Sequence, residues 1–330
     1  MTDPTPATVE RDGRLLVLQP HKVLIQSAEG QRHLVERHAE VMAHLDAYPN
    51  LRKHLFTDKW AAGFIEHWLA RTETLALFSY PAFYLEPFVL KMGLYPEDYL
   101  ARADSAVGFL AKKAPKRNRT DLFGNLLKGV SVAAEFEVML AWALVQHFGP
   151  EAVEPYPRVA EAGAQNIDFA VVRNDVRVLI EAMILLDDRG RGVAKRYAIE
   201  SGIGCMIEGG SDGSDVHRLL IACYEKVHQR TVNDPLILCV NQCATWPDPA
   251  TGTEAVGKLL AREMWANDST LVGVAYFYSG NLVSTSFAES RFRTTNADAV
   301  LVNDVRTALG ALTSQARVDA ARAQSDPKSE

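Results

Sequence analysis

The sequence predicts an α/β fold behind a mostly helical N-terminal region, and three stretches carry that expectation. About Asp121 to Phe148 is a helical run that is apolar nearly all round, as in a helix buried in a core. NIDFAVV and VRVLIEAMIL, within Asn166–Leu185, are two β-branched runs around a polar break, the signature of a hairpin. PLILCVNQ (Pro235–Gln242) is a short apolar run that reads as a buried strand. Between hairpin and strand, Asp215–Arg230 has the pattern of an amphipathic helix, with Val216, Leu219, Leu220, Cys223 and Val227 inward and Lys226 on the margin of that face.

In chain order, residues 1 to 12 read as disordered, and Arg14–Gln26 as two short strands broken at Pro20. From about Gln31 to Leu110 the pattern is helical, interrupted at Pro81, Pro87 and Pro96. Lys112–Arg119, with Pro115 inside it, is the expected boundary, dividing a helical region (1–117) from an α/β domain (118–313) and a polar, disordered tail (314–330). The long helix is expected to be capped by Asp121 and ended by Gly149-Pro150. Val130, Ala133, Glu137, Leu140, Leu144 and Phe148 share one stripe, which sets Glu137 in the middle of an oily face. Glu135, on an edge with Lys128 and Gln146, reads as ordinary. A Gly-rich basic loop, Asp187 to Gly213, follows the hairpin. Further on come a helix at about Glu254 to Trp265, a hairpin of LVGVAYFY and NLVSTSF turned at Ser279-Gly280, then AVLV (Ala299–Val302) and a short helix.

Composition excludes some classes. The 330 residues are 48% hydrophobic and 23% charged, which suits a globular chain with a real core. No run approaches the length of a transmembrane helix, and the N-terminus lacks the basic and apolar regions of a secretory signal, so no membrane partner is expected. Cys205, Cys223, Cys239 and Cys243 show no metal-binding spacing and read as reduced core residues of a cytoplasmic protein. His33, His38 and His44 read as a helix surface. A net charge of −6 gives no global pull toward nucleic acid. Basic character is local, in Ala111–Arg119, a solvated linker, and in Asp187–Arg196, directly after the hairpin.

The hairpin carries the chemistry. Asn174 and Asp175 both tolerate the positive φ of a two-residue turn. With the turn there, Arg173 pairs with Val176, and counting outward sets Asp168 opposite Glu181. Opposed side chains on one face have Cβ atoms about 5 Å apart. Two carboxylates at that separation repel by roughly 3 kcal/mol at an effective dielectric of about 20. Protonating one acid, supplying a base or binding a cation relieves this, and a cation is the sharpest reading. A one-residue slip of register would put the two acids on opposite faces. The apolar neighbours Ile167, Phe169, Ile180, Ala182, Met183 and Leu185 suggest strands buried on both sides, where a carboxylate needs a partner.

The order of FEVMLAWALVQHFG, NIDFAVV and VLIEAM, then a helix and a strand, resembles the PD-(D/E)xK phosphodiesterase superfamily over roughly residues 121 to 245. The resemblance implies a restriction-endonuclease-like αβββαβ core, a mixed central sheet flanked by helices. It matches Asp168 to the family's metal-binding Asp, Glu181 to its second carboxylate and Glu137 to the Glu often found on the first core helix. It implies that these three acids hold Mg²⁺ or Mn²⁺, which suits hard oxygen donors. The family's Lys falls where this chain has Met183, a side chain that handles no proton and stabilises no anion. Lys226 stands where a Lys migrated to the following helix is sought.

Two functions follow as expectations. One is a metal-dependent nuclease acting on DNA in preference to RNA, with Asp168, Glu181 and Lys226 catalytic and Arg189, Arg191, Lys195 and Arg196 on backbone phosphates. The other is a catalytically inactive relative that binds nucleic acid or serves in assembly. The helical N-terminal region is the expected surface for a second copy or a partner protein.

Overall fold

The computed structural model describes residues 7–11, 14–18, 22–23, 28–70, 76–77, 80, 82–83, 85, 99–127, 131–157, 167–185, 234–243, 271–281, 284–292 and 299–312. The expected basic loop, the helices expected at Asp215–Arg230 and about Glu254–Trp265, and the tail from Ser314 lie outside the described residues. Ala7–Arg11, part of the stretch expected to be disordered, is a strand. β1 (Ala7–Arg11) pairs antiparallel with β2 (Arg14–Leu18), and Arg11 faces Arg14 across a two-residue connection. That connection is Asp12-Gly13, a strong hairpin signal once the β-branched Thr8 and Val9 before it are counted. β3 (Lys22–Val23) follows beyond Pro20, as expected, and pairs with β4 (Ala76–Leu77).

Four helices make up the N-terminal region among the described residues: α1 (Ala28–Leu45), α2 (Pro49–His54), α3 (Asp58–Leu69) and α4 (Tyr99–Lys113). The open N–H groups at the start of α2 are taken by α4, whose Asp104 Oδ1 accepts from Asn50 N (2.7 Å) and Leu51 N (2.9 Å). The two helices are so close that a Cβ on Gly108 would lie 2.8 Å from the Asn50 side chain. Thr57 caps α3, its Oγ1 accepting from Trp60 N at 3.2 Å. His33 and His44 are exposed as expected, but His38 is not. It is 7% exposed, its Nδ1 is 2.9 Å from the Tyr80 hydroxyl, and its ring lies against those of Phe64 and Tyr80. One helix thus has both a wet and a dry face, and of these three histidines only His38 falls on the dry one.

The expected single helix from Asp121 to Phe148 is two helices, α5 (Lys116–Leu126) and α6 (Ser131–Phe148). Asp121 is interior to α5, and Pro115 takes the N-cap position, so Asp121 caps nothing. α5 ends at its C-cap, Leu127, whose N–H donates to the Phe123 carbonyl. α6 ends where expected, at Gly149, whose φ of +82° suits the residue that leaves a helix in the left-handed region.

Six strands then form one mixed sheet: β5 (Val153–Pro155), β6 (Phe169–Arg173), β7 (Val176–Leu185), β8 (Leu236–Cys243), β9 (Leu271–Asn281) and β10 (Ser284–Phe292). Their spatial order is β10-β9-β8-β7-β6-β5. β5, β6 and β7 run as an antiparallel meander, β7, β8 and β9 are parallel, and β10 returns antiparallel. Asn281 pairs with Ser284, so the ladder runs past the expected turn. Ser279-Gly280, the expected turn, lies inside β9 instead. The ladder slips between Ser284 and Ser286 and again between Phe287 and Glu289, which disturbs the alternation that would have revealed this register. AVLV opens α7 (Ala299–Gly310), so that stretch is wholly helical.

The sheet is buried on both faces in its centre. One face, with Phe169, Val171, Val178, Ile180, Ile237, Cys239, Ala275 and Phe277, belongs to a continuous apolar core that includes α6, α7 and the N-terminal helices. Phe136 of α6 meets Phe277 edge-on at 5.3 Å. By alternation the other face carries Leu179, Glu181, Met183, Leu238, Val240 and Val274, all buried as well. The fold is therefore α/β, with a mixed sheet flanked by helices.

Candidate functional site

The β6–β7 hairpin turns at Asn174-Asp175, with φ of +51° and +63°, as a type I′ turn requires. Its ladder runs from Arg173↔Val176 to Phe169↔Ile180. Asp168 directly precedes β6 and Glu181 directly follows Ile180, so the paired ladder stops one residue short of the pairing expected from the sequence. Arg173 also ties the turn to α7 through Asp304 (2.8 Å).

Asp168 is fixed from two sides. Its carbonyl accepts from Tyr156 N at 2.7 Å, and its Oδ2 accepts from Ala182 N at 2.7 Å. The side chain thus takes an N–H that a continued β6 backbone would have taken, and a charged acceptor makes that bond a strong one. Glu181 is 3% exposed and stands one residue before that same amide. Across the parallel ladder Ala182 pairs with Cys239. Burial first, and then the charges of Asp168 and Glu181, push the Cys239 thiol well above its ordinary value. Cys239 is a free, buried thiol, as expected of a reduced core cysteine.

Glu137 approaches from elsewhere. It projects from α6, on the face of the sheet that carries Ile180 and Cys239, whereas Glu181 belongs to the opposite face. Its Oε2 accepts from the Tyr156 hydroxyl at 2.8 Å. Burial, then the Glu137 charge and that hydrogen bond, with Asp168 and Asp121 adding, push the Tyr156 phenol well above its usual value. Tyr156 remains a proton donor throughout the ordinary pH range. The sequence puts Glu137, Asp168 and Glu181 together; the fold sets Asp168 and Glu181 each one residue beyond the last paired rung, Phe169↔Ile180, and joins Glu137 to the Asp168 strand through Tyr156. Among the described residues, no three His, Cys, Asp or Glu side chains are grouped to hold one metal ion.

Glu135 corrects the sequence reading. Expected on an ordinary edge, it is 6% exposed, and its two oxygens accept from Phe83 N and the Tyr99 hydroxyl, each at 3.0 Å. The helical N-terminal region packs over the edge of α6 that a reading of α6 alone leaves facing water. Met183 is buried two residues after Glu181 on the same face. Lys226, Arg189, Arg191, Lys195 and Arg196 lie outside the described residues. Sequence reasoning missed Tyr156, whose signal is an aromatic between two prolines, Pro155 and Pro157, at the end of a strand. It also missed the Ala182 amide, for which residue type carries no signal. Among the described residues, no helix is long and apolar enough to cross a membrane. No protein-family model matches this chain, and no curated protein or solved structure matches it either.

Proposed function

We propose that the chain is a divalent-metal-dependent nuclease with a restriction-endonuclease-like core, hydrolysing phosphodiester bonds of DNA in preference to RNA. The observation that carries the reading is the Asp168 carboxylate held by Ala182 N, next to the buried Glu181, where β6 leaves the ladder. The order α6, β5, β6, β7, then β8 parallel to β7, supports it. The donor set fits Mg²⁺ or Mn²⁺, since Mg²⁺ is commonly held by one or two carboxylates and keeps several waters. Asp168, which Ala182 N holds through Oδ2, and Glu181 would supply the two carboxylates. Such an ion, when bound, activates water and stabilises charge on a phosphoryl oxygen. Lys226 would assist the nucleophile or the developing charge, and Arg189, Arg191, Lys195 and Arg196 would hold backbone phosphates.

A second reading, a catalytically inactive module for nucleic-acid binding or assembly, is favoured by one observation. The buried Met183 stands beside Glu181 where a cationic side chain would serve the reaction. Cleavage of single- and double-stranded DNA and of RNA, with Mg²⁺ and with Mn²⁺, separates the two. In the nuclease, Asp168→Asn abolishes metal-dependent cleavage, and Lys226→Ala lowers it by about 10²-fold with little change in substrate affinity. Met183→Lys in the Lys226→Ala background then restores part of the activity. Cleavage undiminished in Lys226→Ala would remove Lys226 from the mechanism, and silence of the wild type with every substrate and metal would leave the binding module.

A further inference from the structure

We infer that Tyr156 is a positioning residue of the acidic site, one that makes Glu137 act on Asp168 from across the sheet rather than as a third metal ligand. The inference rests on the metal-site reading of Asp168 and Glu181. Three contacts converge on this one residue. Its hydroxyl donates to Glu137 Oε2 (2.8 Å), its N–H donates to the Asp168 carbonyl (2.7 Å), and its ring packs against Phe169, the next residue of β6, at 6.3 Å. Glu137 on α6 and Asp168 beside β6 are thereby joined through a single buried residue.

The backbone supports this assignment. Tyr156 has a φ of +53°, in the left-handed region that a bulky residue enters only when its surroundings hold it there. Pro155 and Pro157 flank it, and a residue before proline is itself restricted. In this conformation, which bulky residues rarely adopt, the N–H reaches Asp168 while the phenol reaches back to α6. Strain of this kind gathers at sites where geometry is the function. The ion would sit on the Glu181 side of the sheet, and Glu137 belongs to the α6 side. Glu137 therefore acts on the site through the Tyr156 hydroxyl and the strand that Tyr156 holds. Partners that orient a ligand in this way commonly change metal affinity by about 10–100-fold when removed.

Mn²⁺ binding to the full chain tests the inference, followed by calorimetry and by the electron paramagnetic resonance of the bound ion, beside the melting temperature without metal. Tyr156→Phe keeps the ring and the N–H and removes only the hydroxyl. It should weaken Mn²⁺ binding by about tenfold or more while the metal-free protein stays folded. Glu137→Gln should weaken binding to a similar extent, and the double variant should bind no worse than either single one, because the two act as one unit. Asp168→Asn should abolish binding, and it serves as the control for the underlying site. Should Asp168→Asn lose Mn²⁺ while Tyr156→Phe binds as the wild type does, the role given to Tyr156 is overturned and the metal site stands. Losses that add in the double variant would make Glu137 an independent ligand and equally overturn it. A wild type that takes up no Mn²⁺ overturns the metal site and this inference together.

Discussion

Glu135 and Glu181 are both buried acids, 6% and 3% exposed, yet they stand in opposite kinds of surroundings. Glu135 joins α6 to the N-terminal region, and a backbone N–H and a phenol donate to its two oxygens. Glu181 stands on the sheet face away from α6, one residue before the amide that the Asp168 carboxylate holds. Burial alone does not mark a functional acid. A carboxylate supplied with donors contributes to stability, whereas one set against a like charge stores repulsion that a cation can relieve.

The largest effect expected from this contrast lies at the acid without a functional role. Glu135→Leu leaves Phe83 N and the Tyr99 hydroxyl without their acceptor inside the core. Losing two hydrogen bonds to a charged group and stranding the donors should destabilise the protein by about 3 kcal/mol or more. Urea unfolding measures this directly. With the proposed metal site, the same variant should respond to Mn²⁺ as the wild type does; a variant that alone loses the response would show that Glu135 belongs to the site and would erase the contrast.

At the hairpin the sign reverses. Asp168→Asn removes a repulsion of roughly 3 kcal/mol at a separation of about 5 Å. It also weakens the bond from Ala182 N, since a neutral acceptor is worth about 1 kcal/mol less than a charged one. The metal-free protein should therefore gain about 1–2 kcal/mol, and the increase in melting temperature that Mg²⁺ or Mn²⁺ gives by mass action should disappear. A metal-free variant less stable than the wild type would mean that Asp168 is a structural acid like Glu135.

The hairpin was legible in the sequence because its information is local. Asn174 and Asp175 accept positive φ, the turn sets the register, and the register runs as far as Phe169↔Ile180, beside Asp168 and Glu181. The parallel strand β8 was legible for a related reason, as a short apolar run that fits a strand buried on both faces. What the sequence withheld depends on partners far along the chain. The burial of Glu135 needs Phe83 and Tyr99, and that of His38 needs Tyr80, all well removed in sequence. The assignment of Glu137 to one face of the sheet and Glu181 to the other follows from how α6 docks, which no periodicity within α6 encodes. β5 is only three residues long and includes Pro155, too short and too interrupted for a strand pattern to appear.

The smallest effect concerns a titratable group of the N-terminal region, and it asks whether that region behaves as a purely structural unit. His38 is buried among Phe64 and Tyr80, and desolvation holds its pKa below the ordinary 6.5, outweighing a hydrogen bond to the Ala61 backbone that acts the other way. The unfolded chain therefore takes up the proton more readily than the fold does. Stability from this group is fully present above about pH 6.5 and declines as the pH falls from there toward the lowered folded value. His54 is shifted in the same direction, first by burial and then by Lys53 and Arg119, so the wild-type curve alone does not isolate His38. Comparison with His38→Gln does, because the amide can still meet the Tyr80 hydroxyl but carries no titratable proton. Unfolding free energy measured between about pH 7.5 and 5.5 should fall less steeply in the variant, and the Mn²⁺-induced stabilisation at the upper end of that range should be the same in both. Parallel pH curves would mean that His38 takes up its proton without leaving the core. A changed response to Mn²⁺ at constant pH would join the aromatic cluster to the hairpin, and the division between a structural region and an acidic site would then have to be redrawn.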